Sequence, residues 1–257
     1  MTDLSPPPLP TPAAEDRPRM SLLARMLNVF AVPGMVFSEV RNSPFVAANW
    51  VVPAILGALV GLGSVWVILS DPAILNQLKA RQEQLIEKRV KDGLLTAKEK
   101  QTAEHYMGPA VLKSFGAAGA VLGSFWSVLW WGLVLWIMAR RLLRVQVGFG
   151  KALEIAGLSM MINVLGGIVG LLLMVSLKKI DAAAGVTLVT KSFEATRKGN
   201  AFAITGNVFA IWLVGVRAVG LARLTNAPFL RAAWLVATFW VLEQCFFVVS
   251  GLGQLGM

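Results

Sequence analysis

The sequence predicts an all-α fold, a polytopic membrane protein whose five-helix transmembrane bundle carries an N-terminal interfacial amphipathic helix and an extramembrane helical hairpin. The first observation is a run of 24 residues without a charge, residues 115–138. As a helix this run would span about 36 Å, more than the roughly 30 Å of a bilayer's hydrocarbon core. The second is the composition, 56% hydrophobic and only 15% charged. The third is the presence of further long apolar runs. The predicted spans are residues 50–69, 115–138, 152–177, 201–222 and 232–250.

The N-terminal 48 residues divide into two segments before the first span. Residues 1–18 are rich in proline and poor in residues that could pack, which predicts a disordered tail. Residues 19–48 are predicted to form an interfacial amphipathic segment, because one helix face is apolar and the helix is too short to cross a bilayer. The alternative is a core helix that packs under the bundle. Arg19 and Arg25 are expected to face water. The predicted membrane-facing set is Leu22, Leu23, Met26, Leu27 and Phe30.

The remaining residues, 49–257, are predicted to form one membrane domain that includes the helical hairpin, residues 71–112. Asp71 and Pro72 have the residue types of an N-cap and a first helical position. Thr96 and Glu99 have the spacing of a capping box, which predicts the start of the second hairpin helix. Residues 71–113 hold eight basic and six acidic residues. Because these charges nearly cancel, we expect no nucleic-acid partner.

The chemistry-bearing residues do not form an enzyme motif. The chain has one histidine, His105, and one cysteine, Cys245, which lie far apart in sequence. No spacing typical of a metal site, a phosphate loop or a nucleophile with its base is present. We therefore expect a non-enzymatic protein without cofactor or metal. The net charge of +10 comes from basic residues that flank apolar runs, which predicts contact with anionic lipid headgroups.

Three GxxxG pairs predict close helix packing within the bundle, with other membrane proteins, or in an oligomer. Small residues at this spacing let two membrane helices approach closely. The pairs are Gly57 with Gly61, Gly119 with Gly123, and Gly166 with Gly170.

Three polar residues within the predicted spans form a candidate intramembrane cluster, namely Asn163, Asn207 and Glu243. A carboxylate deep in a span is costly, so we expect Glu243 to be protonated and hydrogen-bonded to Asn163. A water-filled path lined by the three residues would favour a small transporter or channel. A dry, closely packed core would favour a scaffold.

Several stretches resemble the YIP family, the Ypt/Rab-interacting protein domain, in its bacterial form. They are the proline-containing stretches at residues 33–37, 44 and 50–53, the hairpin segment 91–99, Lys151 with Ala152, and the run from Ile211 and Trp212 through Gly220 and Leu221 to residues 229–232. The resemblance covers the chain from about residue 20 to its end. It implies a non-enzymatic five-helix membrane protein with a cytoplasmic N-terminus, involved in organising membranes or membrane complexes.

The leading functional hypothesis is an integral membrane scaffold or accessory subunit, which binds other membrane proteins or organises the bilayer. An accessory to an ABC-type exporter is a specific form of this hypothesis, and the small transporter or channel is the alternative. We expect the bacterial cytoplasmic membrane as the location, with the N-terminus in the cytoplasm and the C-terminus outside.

Overall fold

The computed structural model describes residues 19–105, 108–180, 182, 184–185 and 206–250. The predicted N-terminal tail, residues 201–205 of the predicted fourth span and the residues after 250 lie outside this part of the chain. The described residues form ten α-helices and one π-helical turn at Met138–Leu142. The helices are α1 Leu22–Ala31, α2 Pro33–Asn42, α3 Ala48–Ser70, α4 Pro72–Lys91, α5 Ala97–His105, α6 Pro109–Ile137, α7 Phe149–Ser159, α8 Met161–Leu177, α9 Val208–Thr225 and α10 Phe229–Ser250.

Five helical segments within the described residues are long and apolar enough to cross a membrane, which confirms the predicted fold class. The second segment, Ala110–Leu142, has 33 residues and the third, Phe149–Leu177, has 29. They are about 50 Å and about 43 Å long and therefore extend past the hydrocarbon core into the headgroup region. The third segment consists of α7 and α8, which meet at Met160.

The bundle has two chemically different ends. We call the end from which α4 and α5 emerge the hairpin end. Here Asp71 caps α4 as predicted, through the backbone N–H of Ala73, and also pairs with Lys178 at the end of α8. The hydrogen bond from Lys178 lowers the pKa of Asp71. The predicted capping box is also confirmed, because Thr96 and Glu99 bond to each other's backbone N–H groups.

The opposite end, which we call the arginine end, carries exposed arginines on several connections and helix termini. Both α1 and α2 pack there, α2 against α7 and α9, and α1 against α2, α3, α7 and α8. The fully buried side chains of α2 include Phe37, which lies beside Gly220 of α9. The exposed arginines are Arg19, which faces water as expected, and Arg41, Arg140, Arg141, Arg144, Arg223 and Arg231.

Close approaches between helices occur where glycine leaves room for them. A methyl group on Gly157 of α7 would lie 2.3 Å from the Cα atom of Trp50 in α3. The predicted packing role holds for Gly57, which faces Ser124, and for Gly61, which faces Ala120. Gly119 of α6, in contrast, has no neighbour in front of it among the described residues.

Candidate functional site

The apolar face of α1 divides into two stripes with different neighbours. Leu23 and Leu27, one helical turn apart, are 64% and 59% exposed. Leu22 and Phe30 are partly buried against the core and Met26 is buried. The expectation that all five residues face the membrane is therefore too broad. Because residues spaced by four share a helix face, the stripe that contains Met26 faces the bundle and the leucine pair faces outward.

Arg25 lies on the inner side of α1, and the expectation that it faces water is wrong. Only 5% of its surface is exposed. Its guanidinium donates to Glu39 Oε1 at 2.8 Å from Nη2, and to Asn49 Oδ1 at 3.3 Å from Nη1. Two elements that follow α1 thus supply a carboxylate and an amide oxygen. These partners offset the cost of removing the cation from water.

The hydrogen bonds continue from Asn49 into α7. The amide Nδ2 of Asn49 donates to Glu154 Oε1 at 2.7 Å, and both residues are fully buried. Glu154 Oε1 also accepts the backbone N–H of Val46, while Oε2 accepts Lys151 Nζ at 2.6 Å. Lys151 donates further to the backbone carbonyls of Val40 and Pro44. We call Arg25, Glu39, Asn49, Lys151 and Glu154 the charge network.

The charge network fixes the N-terminal helices to the bundle. It contains two cations and two carboxylates, so its formal charges balance, and Asn49 joins the two ion pairs by accepting from one and donating to the other. Replacing a complete buried network with apolar residues is often neutral, but removing one partner typically costs about 3–5 kcal/mol. The network therefore specifies where α1 and α2 sit more than it adds net stability.

The surface that remains exposed at the arginine end, once the charge network has formed, is both basic and apolar. Glu39 and Glu154 are the carboxylates of this end among the described residues, and both are paired within the charge network. Leu23 and Leu27 are exposed beside it. Exposed leucines together with unopposed arginines are typical of a surface that contacts anionic headgroups.

The candidate polar cluster does not assemble. Glu243 accepts a hydrogen bond from Trp130 Nε1 at 2.7 Å, so the predicted partnership with Asn163 is wrong. Asn163 is exposed on α8. Asn207 caps the start of α9 by accepting the N–H of Phe209 at 2.9 Å. An asparagine before an apolar run is a favoured N-cap, and this local bond takes the place of the intramembrane role. The three residues therefore do not line a common path, which was the arrangement expected to favour a transporter or channel.

Aromatic side chains connect Glu243 to a buried cation, Arg217 of α9. The guanidinium carbon of Arg217 lies 3.8 Å from the ring centroid of Trp131. Phe239 of α10 contacts Trp131 edge-on at 5.5 Å between centroids and lies 6.2 Å from Trp130. No carboxylate lies within salt-bridge distance of Arg217 among the described residues. The cation–π contact stabilises the desolvated guanidinium in part.

The sequence analysis did not single out Arg25, Glu39, Asn49, Lys151 or Glu154 as an interacting group. One signal was present, since Lys151 and Glu154 are the only charged residues between positions 149 and 177 and are spaced for a helical pair. Arg25, Glu39 and Asn49 join the charge network only because α1 and α2 fold back onto the bundle. No local pattern in the sequence predicts that folding back.

These features define a class of protein, a polytopic α-helical membrane protein with a helical layer fixed to one end of its bundle. The profile of the Yip1 domain family matches residues 27–252. The match covers most of the chain, which belongs to this family, as the resemblance indicated. Neither the curated proteins nor the solved structures contain a match to the chain.

Proposed function

We propose that this protein is a non-enzymatic membrane scaffold or accessory subunit, which organises one leaflet of the bilayer and binds other membrane proteins. The observation that carries the proposal is the position of α1. Its outer stripe, Leu23 and Leu27, is exposed, whereas Arg25 on its inner side is fixed to α2 and α3. An amphipathic helix that cannot rotate away keeps its leucines in one leaflet.

Vesicles of phosphatidylethanolamine and phosphatidylglycerol, reconstituted with the full chain, test this proposal. A helix held in one leaflet expands that leaflet, so we expect smaller or tubular vesicles at high protein density, measured by electron cryo-microscopy. The double substitution Leu23→Glu and Leu27→Glu should return the vesicle diameter to that of protein-free controls. The matched control is Leu94→Glu, because Leu94 is 72% exposed but lies in the turn between α4 and α5.

An unchanged diameter distribution with the wild-type protein would contradict the leaflet role. So would full retention of the effect in the Leu23→Glu, Leu27→Glu variant at equal protein density. A loss of the effect in the Leu94→Glu control would mean that any new surface charge suffices, and it would likewise remove the support from α1.

We further propose the bacterial cytoplasmic membrane as the location, with the arginine end in the cytoplasm. Arginines concentrate in short connections at this end, which is typical of cytoplasmic loops. Reporter fusions at Gly93 and at the C-terminus should then both report the outer side. Cytoplasmic signals at both positions would contradict this orientation. For partners, co-purification in mild detergent followed by mass spectrometry is the direct test, and an ABC-type exporter is the specific candidate.

A further inference from the structure

Glu243 is a carboxylate in a membrane-crossing helix with only one hydrogen-bond partner among the described residues. Its Oε1 accepts from Trp130 Nε1 at 2.7 Å, and the side chain is partly exposed on the outside of the bundle. Ionisable groups inside a membrane are costly, and they usually mark a position where something polar binds. The second carboxylate oxygen is therefore available to a ligand.

Two indole rings lie next to this carboxylate. Trp126 and Trp130 are stacked on α6 with centroids 6.3 Å apart and an interplanar angle of 16°. Trp126 is 65% exposed, so its surface is open to a molecule dissolved in the lipid. Indole faces attract cations, most strongly where water is excluded. A carboxylate beside stacked indoles has the chemistry that recognises an organic cation.

Arg217 lies behind this surface and does not block it. It is almost completely buried, and its guanidinium rests on Trp131. Arg217 and Glu243 form no salt bridge with each other, so the guanidinium does not occupy the carboxylate. The exposed groups that a ligand meets first are therefore the carboxylate and the indoles, and not the guanidinium.

We propose that Glu243, Trp126 and Trp130 form a membrane-facing site for a lipophilic organic cation, such as a quaternary ammonium or an aryl phosphonium ion. The ligand reaches the site from the lipid, between α6 and α10. Its charge is neutralised by Glu243, and its apolar groups contact the two indoles. This site lies on different helices from the leaflet surface of α1, so either assignment can fail without the other.

Equilibrium dialysis of tetraphenylphosphonium against the full chain in lipid nanodiscs tests the site. We expect saturable binding to the wild type and about tenfold weaker binding to Glu243→Gln, which keeps the size and the acceptor for Trp130 but removes the charge. Trp126→Leu should weaken binding several-fold, because it removes one indole face. Trp126 makes no hydrogen bond among the described residues, so this variant remains informative if Glu243→Gln does not fold.

Two controls separate this site from simple partition into lipid or into another pocket. Asn163→Ala removes an exposed amide from a different span and should leave the affinity unchanged. Tetraphenylborate, dialysed separately without the phosphonium ion, has the same shape with a negative charge and should show no saturable binding. Equal affinities for wild type, Glu243→Gln and Trp126→Leu would overturn the proposal. Saturable binding of tetraphenylborate would overturn it too, since it would point to Arg217 as the binding group.

Discussion

The arginine end and the hairpin end have similar apolar sequences but are packed very differently. Within the third membrane segment, every residue of α7 from Ala152 to Ser159, at the arginine end, is buried, whereas α8, which runs to the hairpin end, has three buried residues, all within its first four positions. At the arginine end α1 and α2 cover the bundle, and the charge network holds them there. At the hairpin end large apolar side chains such as Trp66 and Phe115 are exposed. In a membrane, apolar residues gain little by leaving lipid, so hydrophobicity alone does not decide which helices pack.

This difference shows that specific contacts between side chains, and not the apolar content, determine which end of the bundle is closely packed. Glycine at 157 permits a close crossing with α3, and buried polar groups direct α1 and α2 to one place. Glycine contacts also occur toward the hairpin end, as at Gly61, but no network of buried charged groups is found there among the described residues. Of α4, only Ile74 and Leu78 are buried. Because the two ends belong to one chain, paired substitutions can measure the contrast directly.

The largest expected effect is the loss of a core side chain at the arginine end. Phe37→Ala removes a fully buried ring beside Gly220 and should lower the free energy of unfolding by about 3–5 kcal/mol. Phe115→Ala, at an exposed position of α6, should change it by less than about 0.5 kcal/mol. Reversible unfolding in mixed micelles with increasing sodium dodecyl sulfate measures both. Equal effects of the two substitutions would remove the contrast between the ends.

A smaller effect is expected where glycine permits helix contact. Gly157→Ala should destabilise the protein by about 1–3 kcal/mol, because its methyl group would overlap the backbone of Trp50. Gly119→Ala has open space in front of it and should be neutral or stabilising by up to about 1 kcal/mol. The same unfolding titration compares them. If Gly157→Ala were as stable as Gly119→Ala, close packing would not distinguish the arginine end.

The fold could be predicted from the sequence because its signals are local. Apolar runs of sufficient length predicted five spans, and Asp71 and Thr96 had the residue types that cap helices. The positions of Arg25 and Glu243 could not be predicted, since their partners come from other helices. Arg25 looked like a solvated residue because its neighbours in sequence are apolar. Glu243 was paired with Asn163 on depth alone, and depth does not determine which faces of two helices meet.

For Asn207 and Glu154 the sequence contains a signal, but that signal fits more than one structural role. Asn207 caps α9 in the structure, although the sequence analysis assigned it only an intramembrane role. Glu154 is the only acidic residue of its span and is spaced for a helical pair with Lys151, but the sequence analysis did not single it out. Neither pattern specifies which backbone or side chain completes the contact.

The central claim, that the charge network fixes α1 and α2 to the bundle, is tested most directly by amide hydrogen exchange of the full chain in nanodiscs. In the wild type we expect α2 to exchange as slowly as α7, and α5 to exchange much faster. Glu154→Ala removes the carboxylate that accepts from Lys151 and Asn49 and should accelerate exchange in α1 and α2 but not in α4. The matched control, Glu83→Ala on exposed α4, should change neither region. Exchange of wild-type α1 and α2 as fast as that of α5 would contradict the claim.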